Sequence, residues 1–224
     1  MKPSVTIEEG MEIGYEGARW RGRQAVRLAK ASDAIHLEPG RHLLLARNGR
    51  GKTTLLKTLA NLIPAMAGVF SVGGRRQYVD EELRFDPELT SRQIFRSFFQ
   101  NGLFKTSLTF AERMELDVGK QYGKLSKGNR QKVALILAET RASDGEGHVL
   151  LLDEPFSGLD FHVRNEVDAI WTENQENVLR LVCVHPDEPT LQAESALLIS
   201  EGRIQQHHAA GGWVDWMETR KTLN

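Results

Sequence analysis

Two adjacent carboxylates follow an apolar run in the segment VLLLDEPFSGLD, residues 149–160. Asp153 and Glu154 come directly after four apolar residues, a pattern typical of a buried strand. Removing an ionised carboxylate from water costs on the order of several kcal/mol unless a cation stabilises it. The pair therefore indicates a bound cation, or chemistry that needs a carboxylate, at the end of this strand.

A glycine-rich segment, ARNGRGKTT at residues 46–54, suggests where that cation comes from. It lies between a predicted buried strand and an amphipathic helix, and its glycines let backbone N–H groups turn toward an anion. Lys52 can reach terminal phosphates, and the Thr53 hydroxyl can ligate Mg²⁺. We expect a phosphate-binding loop made by Asn48, Gly49, Gly51, Lys52, Thr53 and Thr54. The alternative is a glycine-rich turn with a chance Lys-Thr pair, which the flanking strand and helix disfavour.

A nucleotide-bound Mg²⁺ would supply the missing cation. Asp153 stands at the carboxyl end of a strand, where α/β sheets bind ligands, and could hold the ion directly or through water. Glu154 points in another direction and could polarise a water that attacks the γ-phosphate. The alternative is a strand-end Asp-Glu pair held by local caps, which the phosphate loop disfavours.

A second helix start suited to an anion occurs in LSKGNRQKVALILA, residues 125–138. Ser126 is a natural N-cap, Gly128 leaves the backbone accessible, and an apolar stripe follows. One nucleotide needs only one such cradle. A second one suggests a second nucleotide or another subunit.

These segments, in this order, resemble the ATP-binding subunits of ABC (ATP-binding cassette) transporters over nearly the whole chain. ARNGRGKTTLL is similar to their Walker A motif, LSKGNRQ to their signature, VLLLDEP to Walker B with the catalytic glutamate, and SGLD to the D-loop. His185 in VCVHPDEP stands where the family's switch histidine follows a strand, and LLISEGRI resembles the next strand and turn.

The resemblance implies that two cassettes pair head to tail, with each ATP between the Walker A motif of one chain and the signature of the other. It implies that Lys52, Thr53 and Thr54 hold phosphate and Mg²⁺, and that Ser126 and Gly128 meet the γ-phosphate of the partner's ATP. It further implies that Asp153 binds Mg²⁺ and that Glu154 is the general base. It also implies that His185 contacts the γ-phosphate and that Asp160 supports the dimer contact. The alternative for His185 is a strand-end histidine with one backbone hydrogen bond.

The chain departs from the family pattern at several positions. Ala46 replaces the first glycine of Walker A, Arg50 stands where a small residue is usual, and Lys127 and Asn129 replace Gly and Gln in the signature. Glu81 stands where the resemblance places a glutamine that touches both Mg²⁺ and the membrane partner. We therefore take Glu81 as a candidate Mg²⁺ ligand and expect weaker ATP affinity or altered coupling.

The family also stacks adenine on an aromatic residue near the N-terminus. Trp20 and Tyr15 are the candidates, and Trp20 is favoured. The alternative for Trp20 is a surface aromatic in a turn.

The expected fold is an α/β, P-loop NTPase core with a parallel sheet, an antiparallel N-terminal β subdomain and an inserted α-helical subdomain. We expect one domain over 1–224, with 1–79 and 140–224 forming the core and 80–139 forming the insert. Six of the nine phenylalanines fall in this insert. The resemblance implies that the insert receives a helix of the membrane subunit, so some of these rings should be exposed.

The amino-acid composition bears on the partners and the cellular location that we expect. With 29 Lys+Arg against 30 Asp+Glu, the chain has no overall attraction for nucleic acid, and we expect no nucleic-acid partner. A single cysteine fits a reducing compartment. The start does not resemble a signal peptide, and no apolar run is long enough to span a membrane. We therefore expect a cytoplasmic protein, peripheral on the cytoplasmic face of the membrane.

The favoured function is an ATPase that dimerises around MgATP, preferably as a homodimer, and drives a separate membrane-spanning transporter subunit. Two alternatives stay open. One is an ABC ATPase that regulates a membrane or envelope machine without transport, and the other is a weakly hydrolysing, nucleotide-dependent regulator. A soluble cassette in DNA repair or translation is disfavoured by the single cassette, the short insert and the balanced charge.

Overall fold

The computed structural model describes residues 2–15, 25–184 and 193–208. The chain divides into two compact units. The first unit comprises 1–78, 147–153 and 176–224, and the second comprises 79–146 and 154–175. The predicted helical insert, 80–139, falls in the second unit.

The strands carry most of the first unit. They are β1 (Ser4–Ile7), β2 (Glu12–Tyr15), β3 (Val26–Ala31), β4 (Ile35–Leu37), β5 (Gly40–Ala46), β6 (Phe70–Gly73), β7 (Arg75–Val79), β8 (His148–Asp153), β9 (Val178–Cys183), β10 (Ser195–Ser200) and β11 (Arg203–His208). Eight of them form one sheet in the order β2-β3-β11-β10-β5-β9-β8-β7.

The centre of this sheet is parallel, as the strand–helix alternation predicts. Strand β5 pairs in parallel with β9 and β10, and β8 pairs in parallel with β9. Strands β5 and β9 are buried along their whole length, which matches the continuous apolar runs expected of strands covered on both faces. Antiparallel pairs lie toward one edge, where β10 meets β11 and β2 meets β3.

A three-stranded antiparallel sheet, in the order β4-β1-β6, accounts for the expected N-terminal β subdomain. Val5 and Ile7 point into the core with no exposed surface, while their neighbours are partly exposed. The period of two in the sequence therefore sets which face of β1 is buried.

Helix α1 (Lys52–Leu59) follows the glycine-rich loop. Leu55, Leu56 and Leu59 are fully buried in the core of the first unit. The sequence predicts a helix to Leu62, but the helix ends at Leu59 and Asn61 adopts a positive φ of 62°. Asparagine tolerates this left-handed conformation, which ends helices without the proline that the sequence suggests.

The remaining helices belong to the second unit. They are α2 (Ser91–Phe98), α3 (Asn101–Arg113), α4 (Lys127–Ala142) and α5 (Phe161–Glu173). Thr90 caps α2 in a capping box with Gln93. Arg113 of α3 binds Glu166 and Glu173 of α5 at 3.0 and 2.8 Å, which joins these two helices. In the described ranges, no helix has the length and apolar character needed to cross a membrane. The expected α/β class is confirmed.

Candidate nucleotide-binding site

The loop between β5 and α1 has the backbone shape of an anion cradle. Gly49 and Gly51 adopt φ values of 75° and 105°, a region that favours glycine. Successive N–H groups in such a turn point to one side, and the first turn of α1 adds its unpaired N–H groups. Ala46, where the family pattern has glycine, is the extended last residue of β5, so alanine fits without strain.

Lys52 lies at the base of this loop and is only 7% exposed. Its Nζ donates to the Ala46 carbonyl at 3.1 Å and to Asn48 Oδ1 at 3.2 Å. Both acceptors are neutral, so these bonds hold the ammonium group in place without neutralising it. A buried positive charge held in this way is suited to an incoming anion such as a phosphate.

The two threonines after Lys52 have different surroundings. Thr53 is exposed, so its hydroxyl can reach a ligand, whereas Thr54 is buried. The Thr54 hydroxyl lies 2.8 Å from the hydroxyl of Tyr15, the last residue of β2. Tyr15 keeps 56% of its surface exposed beside the start of α1.

Asp153 ends β8 in the first unit, as predicted. The hydroxyl of Tyr78 on β7 donates to its Oδ2 at 3.3 Å. The Lys57 ammonium group lies 5.9 Å from the centre of the Tyr78 ring. Sequence reasoning missed Tyr78. The signal that could have found it is its place near the end of a strand that leads toward Glu81.

Glu154 begins the next segment in an unusual conformation. Its φ of 51° is left-handed, which a non-glycine residue adopts only when its surroundings hold it there. The Ser157 N–H donates to the Glu154 carbonyl at 3.1 Å and closes a tight turn. The backbone of the proposed general base is therefore strained and held by a local hydrogen bond.

The predicted signature segment begins helix α4. Ser126 is its N-cap, and the Ser126 hydroxyl accepts the Asn129 N–H at 3.3 Å. Gly128 packs against the loop after Glu154, since a Cβ placed on Gly128 would lie 2.2 Å from the Gly158 carbonyl oxygen. No residue larger than glycine fits there without a shift of the backbone.

Glu81 contacts Lys127, another residue at which the chain departs from the family pattern. Its carboxylate forms an ion pair with Lys127 at 2.9 Å and a hydrogen bond with the Ser157 side chain. The Ser157 hydrogen bond, and then Lys127, lower the pKa of Glu81. Glu81 is therefore ionised at neutral pH, and its charge is balanced by Lys127. Whether Glu81 also ligates Mg²⁺ stays a prediction.

Asp160 is the N-cap of α5, and its Oδ1 accepts the Val163 N–H at 2.9 Å. This hydrogen bond lowers the pKa of Asp160, and the charge of Lys132 adds to the effect. The structure thus gives Asp160 a local capping role. Its role in a dimer contact stays a prediction.

The described candidates fall into two sets. Lys52, Thr53, Thr54 and Asp153 belong to the first unit, and Glu81, Ser126, Gly128, Glu154 and Asp160 belong to the second. Trp20 and His185 lie outside the described residues. The spacing of Trp213, Trp216 and Met217 predicts a short amphipathic helix, which also lies outside them.

In this chain a strand of a parallel sheet leads into a glycine-rich loop and then into a helix that begins with a buried lysine. This arrangement is that of P-loop nucleotide-binding proteins. Residues 33–157, more than half of the chain, match the ABC transporter family. The chain belongs to this family.

Individual relatives agree with this assignment. The chain is 33% identical over 183 residues to the aliphatic sulfonates import ATP-binding protein SsuB 1 of Pseudomonas fluorescens, covering 77% of this chain and 68% of that protein. It is similar in fold to the solved ATP-binding subunit of an ABC transporter, with a TM-score of 0.73, 18% identity, and 97% and 99% of the two chains covered. It is also similar to an ATP-binding cassette solved as a dimer in a post-hydrolysis state with ADP and Pi, with a TM-score of 0.67, 15% identity, and 92% and 99% covered.

The chain is thus an ATP-binding subunit of the ABC transporter type. This confirms the ATP-binding function that the sequence resemblance implies. It leaves the roles of individual residues, the metal ion and the identity of the partners as proposals.

Proposed function

We propose that this chain binds MgATP at the loop of residues 46–54 and hydrolyses it with Glu154 as general base. Two copies pair around the nucleotides on the cytoplasmic face of a membrane, and their closure drives a membrane-spanning transporter subunit. The observation that carries the proposal is the buried Lys52 ammonium group, held by two neutral oxygens beneath two left-handed glycines.

The residues at the phosphate loop fit Mg²⁺. Thr53 offers an exposed hydroxyl, and Asp153 offers a carboxylate held by Tyr78. Oxygen donors of this kind are the ones Mg²⁺ prefers, and it usually binds one or two protein groups together with substrate phosphates. When bound, Mg²⁺ would neutralise part of the charge on the β- and γ-phosphates.

The chemical step needs a proton acceptor and a positive charge at the phosphates. A water oxygen attacks the γ-phosphorus, the bond to the β–γ bridging oxygen breaks, and the water proton passes to the Glu154 carboxylate. Lys52 stabilises the negative charge on the phosphate oxygens. His185 steadies the γ-phosphate in the same proposal.

The start of α4 serves the nucleotide of the partner copy. The Ser126 hydroxyl lies at the N-cap and the Gly128 backbone lies in the first turn of a 16-residue helix, where N–H groups favour an anion. Asp160 supports the contact between the copies.

Adenine stacks on an aromatic side chain of the first unit. Tyr15 is suited to this role, because its ring is exposed and its hydroxyl is hydrogen-bonded to Thr54 beside the phosphate loop. Trp20, which the sequence favours, is the alternative.

The second unit offers a surface to the membrane subunit. Phe95 and Phe99 are buried, whereas Phe98 is 48% exposed and contacts Phe85 edge to face at 6.0 Å between ring centres. Phe98 and the partly exposed Phe85 thus adjoin each other at the surface, and adjoining exposed apolar groups mark candidate contact surfaces.

Steady-state ATPase assays with two variants test the hydrolytic part of the proposal. Glu154→Gln should lower kcat by about 10²–10⁴, because it removes the base but keeps the shape of the side chain. It should also retain ATP and accumulate as a dimer in sedimentation experiments. Lys52→Ala should lose ATP binding. Glu176→Gln, at an exposed position, is the control and should behave as the wild type.

Retained hydrolysis by purified Glu154→Gln would refute the assignment of the base. The transport part is tested by purifying the tagged protein from detergent-solubilised native membranes. A stoichiometric multi-spanning partner supports it, and recovery with soluble partners alone would favour a regulatory ATPase.

A further inference from the structure

Glu81 joins three segments of the second unit. Its own segment follows β7, Lys127 is the first residue of α4, and Ser157 belongs to the loop after Glu154. The Glu81 carboxylate binds the Lys127 ammonium group at 2.9 Å and hydrogen-bonds the Ser157 side chain. We call these three residues the Glu81 network.

The network reaches Glu154 through one backbone hydrogen bond. The Ser157 N–H donates to the Glu154 carbonyl at 3.1 Å, and this turn accompanies the left-handed φ of 51° at Glu154. Such a conformation costs about 1–3 kcal/mol and persists only where neighbouring contacts hold it. Ser157 supplies one such contact, and Glu81 fixes the side chain of Ser157.

The loop is fixed to α4 a second time, one residue further on. Gly128 and Gly158 approach so closely that a Cβ on Gly128 would overlap the Gly158 carbonyl oxygen, at 2.2 Å. The loop that carries Glu154 thus has a backbone contact with α4 and a side-chain contact through Glu81.

The two charged residues of the Glu81 network, Glu81 and Lys127, stabilise each other. A lysine in the first turn of a helix is unfavourable, because the N-terminal end of a helix carries partial positive charge. Glu81 offsets the Lys127 charge and is offset by it. Two residues that each depart from the family pattern therefore form one pair.

We propose that Glu81 is a positioning residue for Glu154: held by Lys127, it fixes Ser157 and thereby the turn that aims the Glu154 carboxylate. The proposal rests on the role of Glu154 as general base in the proposed function. It assigns Glu81 a task in hydrolysis that does not require contact with the nucleotide.

Steady-state ATPase kinetics of Glu81→Ala, Ser157→Ala and the double variant test this inference. Each single variant should lower kcat by about threefold to tenfold, the effect of losing one hydrogen bond, with the KM for ATP changed less than about twofold. Because the two residues act in series on Glu154, the double variant should be no slower than the slower single variant.

Two further variants separate positioning from mere structural support. Ser157→Thr keeps the hydroxyl that Glu81 binds, so it should retain kcat within about twofold. Glu82→Ala removes the neighbouring exposed acidic side chain and should match the wild type. If Glu81→Ala fails to unfold cooperatively, Ser157→Ala carries the test alone.

Wild-type kcat in Glu81→Ala or Ser157→Ala overturns the inference, and so do multiplicative losses in the double variant or a change confined to KM. In these cases the proposed function stands, provided that the wild type hydrolyses ATP and Glu154→Gln does not. A wild type without ATPase activity, or an active Glu154→Gln, overturns both.

Discussion

The Tyr78 hydroxyl donates a hydrogen bond to Oδ2 of Asp153 across 3.3 Å. The bond joins β7 to the carboxyl end of β8, where we propose that Mg²⁺ binds. A carboxylate that receives a hydrogen bond on one oxygen is restricted in rotation, and its other oxygen remains directed for a metal ion.

Tyr78→Phe should weaken metal binding because it removes the donor and leaves the ring in place. Loss of a hydrogen bond to a metal ligand costs at least about tenfold in affinity in known sites, and we expect about tenfold here. Mn²⁺ binding in the presence of ADP, followed by electron paramagnetic resonance, measures this directly. Tyr122→Phe is the matched control, because the Tyr122 hydroxyl donates to the Leu83 carbonyl at 3.0 Å. Equal Mn²⁺ affinity in the two variants would contradict the prediction.

Tyr15→Ala should raise the Kd for ATP by about tenfold, since stacking a base on an aromatic ring contributes about 1–3 kcal/mol. Tyr15→Phe keeps the ring and loses only the bond to Thr54, so its Kd should stay within about threefold of the wild type. Fluorescence titration with a labelled nucleotide measures both. If Trp20→Ala loses affinity and Tyr15→Ala does not, adenine stacks on Trp20 instead.

Gly128→Ala should destabilise the protein, because a Cβ 2.2 Å from the Gly158 carbonyl oxygen forces the loop away from α4. We expect a loss of about 1–3 kcal/mol in the free energy of unfolding, as for other overpacked sites. We also expect reduced hydrolysis, since the displaced loop carries Glu154. Urea denaturation measures the stability.

Gly102→Ala provides the control for that substitution. Gly102 is the second residue of α3, as Gly128 is the second residue of α4, yet a Cβ on Gly102 meets nothing within 4 Å. Alanine there should be neutral or stabilising by up to about 1 kcal/mol. Equal effects of the two substitutions would show that the Gly128–Gly158 contact is unimportant.

His42 should make the protein less stable in mild acid. It is buried, its Nε2–H donates to the Glu38 carbonyl at 2.8 Å, and its Nδ1 lies 2.8 Å from the Ser195 hydroxyl. Burial lowers the pKa of His42 below its ordinary value of 6.5. As pH falls below 6.5, His42 binds a proton in the unfolded chain but stays neutral in the folded chain. The free energy of unfolding therefore decreases.

The free energy of unfolding should therefore fall by up to about 1.4 kcal/mol per pH unit through this residue, between the lowered pKa and 6.5. Urea titrations of the wild type and His42→Gln over this range test the point, and the variant should show the shallower slope. Parallel slopes for wild type and His42→Gln would disprove the linkage.

Short-range signals in the sequence predicted the parts of the site that depend on neighbouring residues. The cap at Ser126 and the glycines around Lys52 each act within a few residues, so their types and spacing are sufficient. The sequence pattern predicts the end of α1 three residues too late, because a left-handed asparagine can end a helix before the expected proline.

Long-range pairs could not be found in the same way. Glu81 and Lys127 stood out separately as departures from a family pattern, but nothing in the sequence shows that they bind each other. Tyr78 and Asp153 are 75 residues apart, and their hydrogen bond depends on β7 and β8 lying in one sheet. The functions of Trp20 and His185 stay predictions.

At position 154, catalytic activity and stability favour different residues, because the backbone is left-handed there. Glycine would adopt this φ of 51° without cost, so Glu154→Gly would relieve roughly 1 kcal/mol of strain while removing the proposed base. A lineage that no longer needed ATP turnover would therefore be expected to lose this glutamate early, since drift there brings a gain in stability.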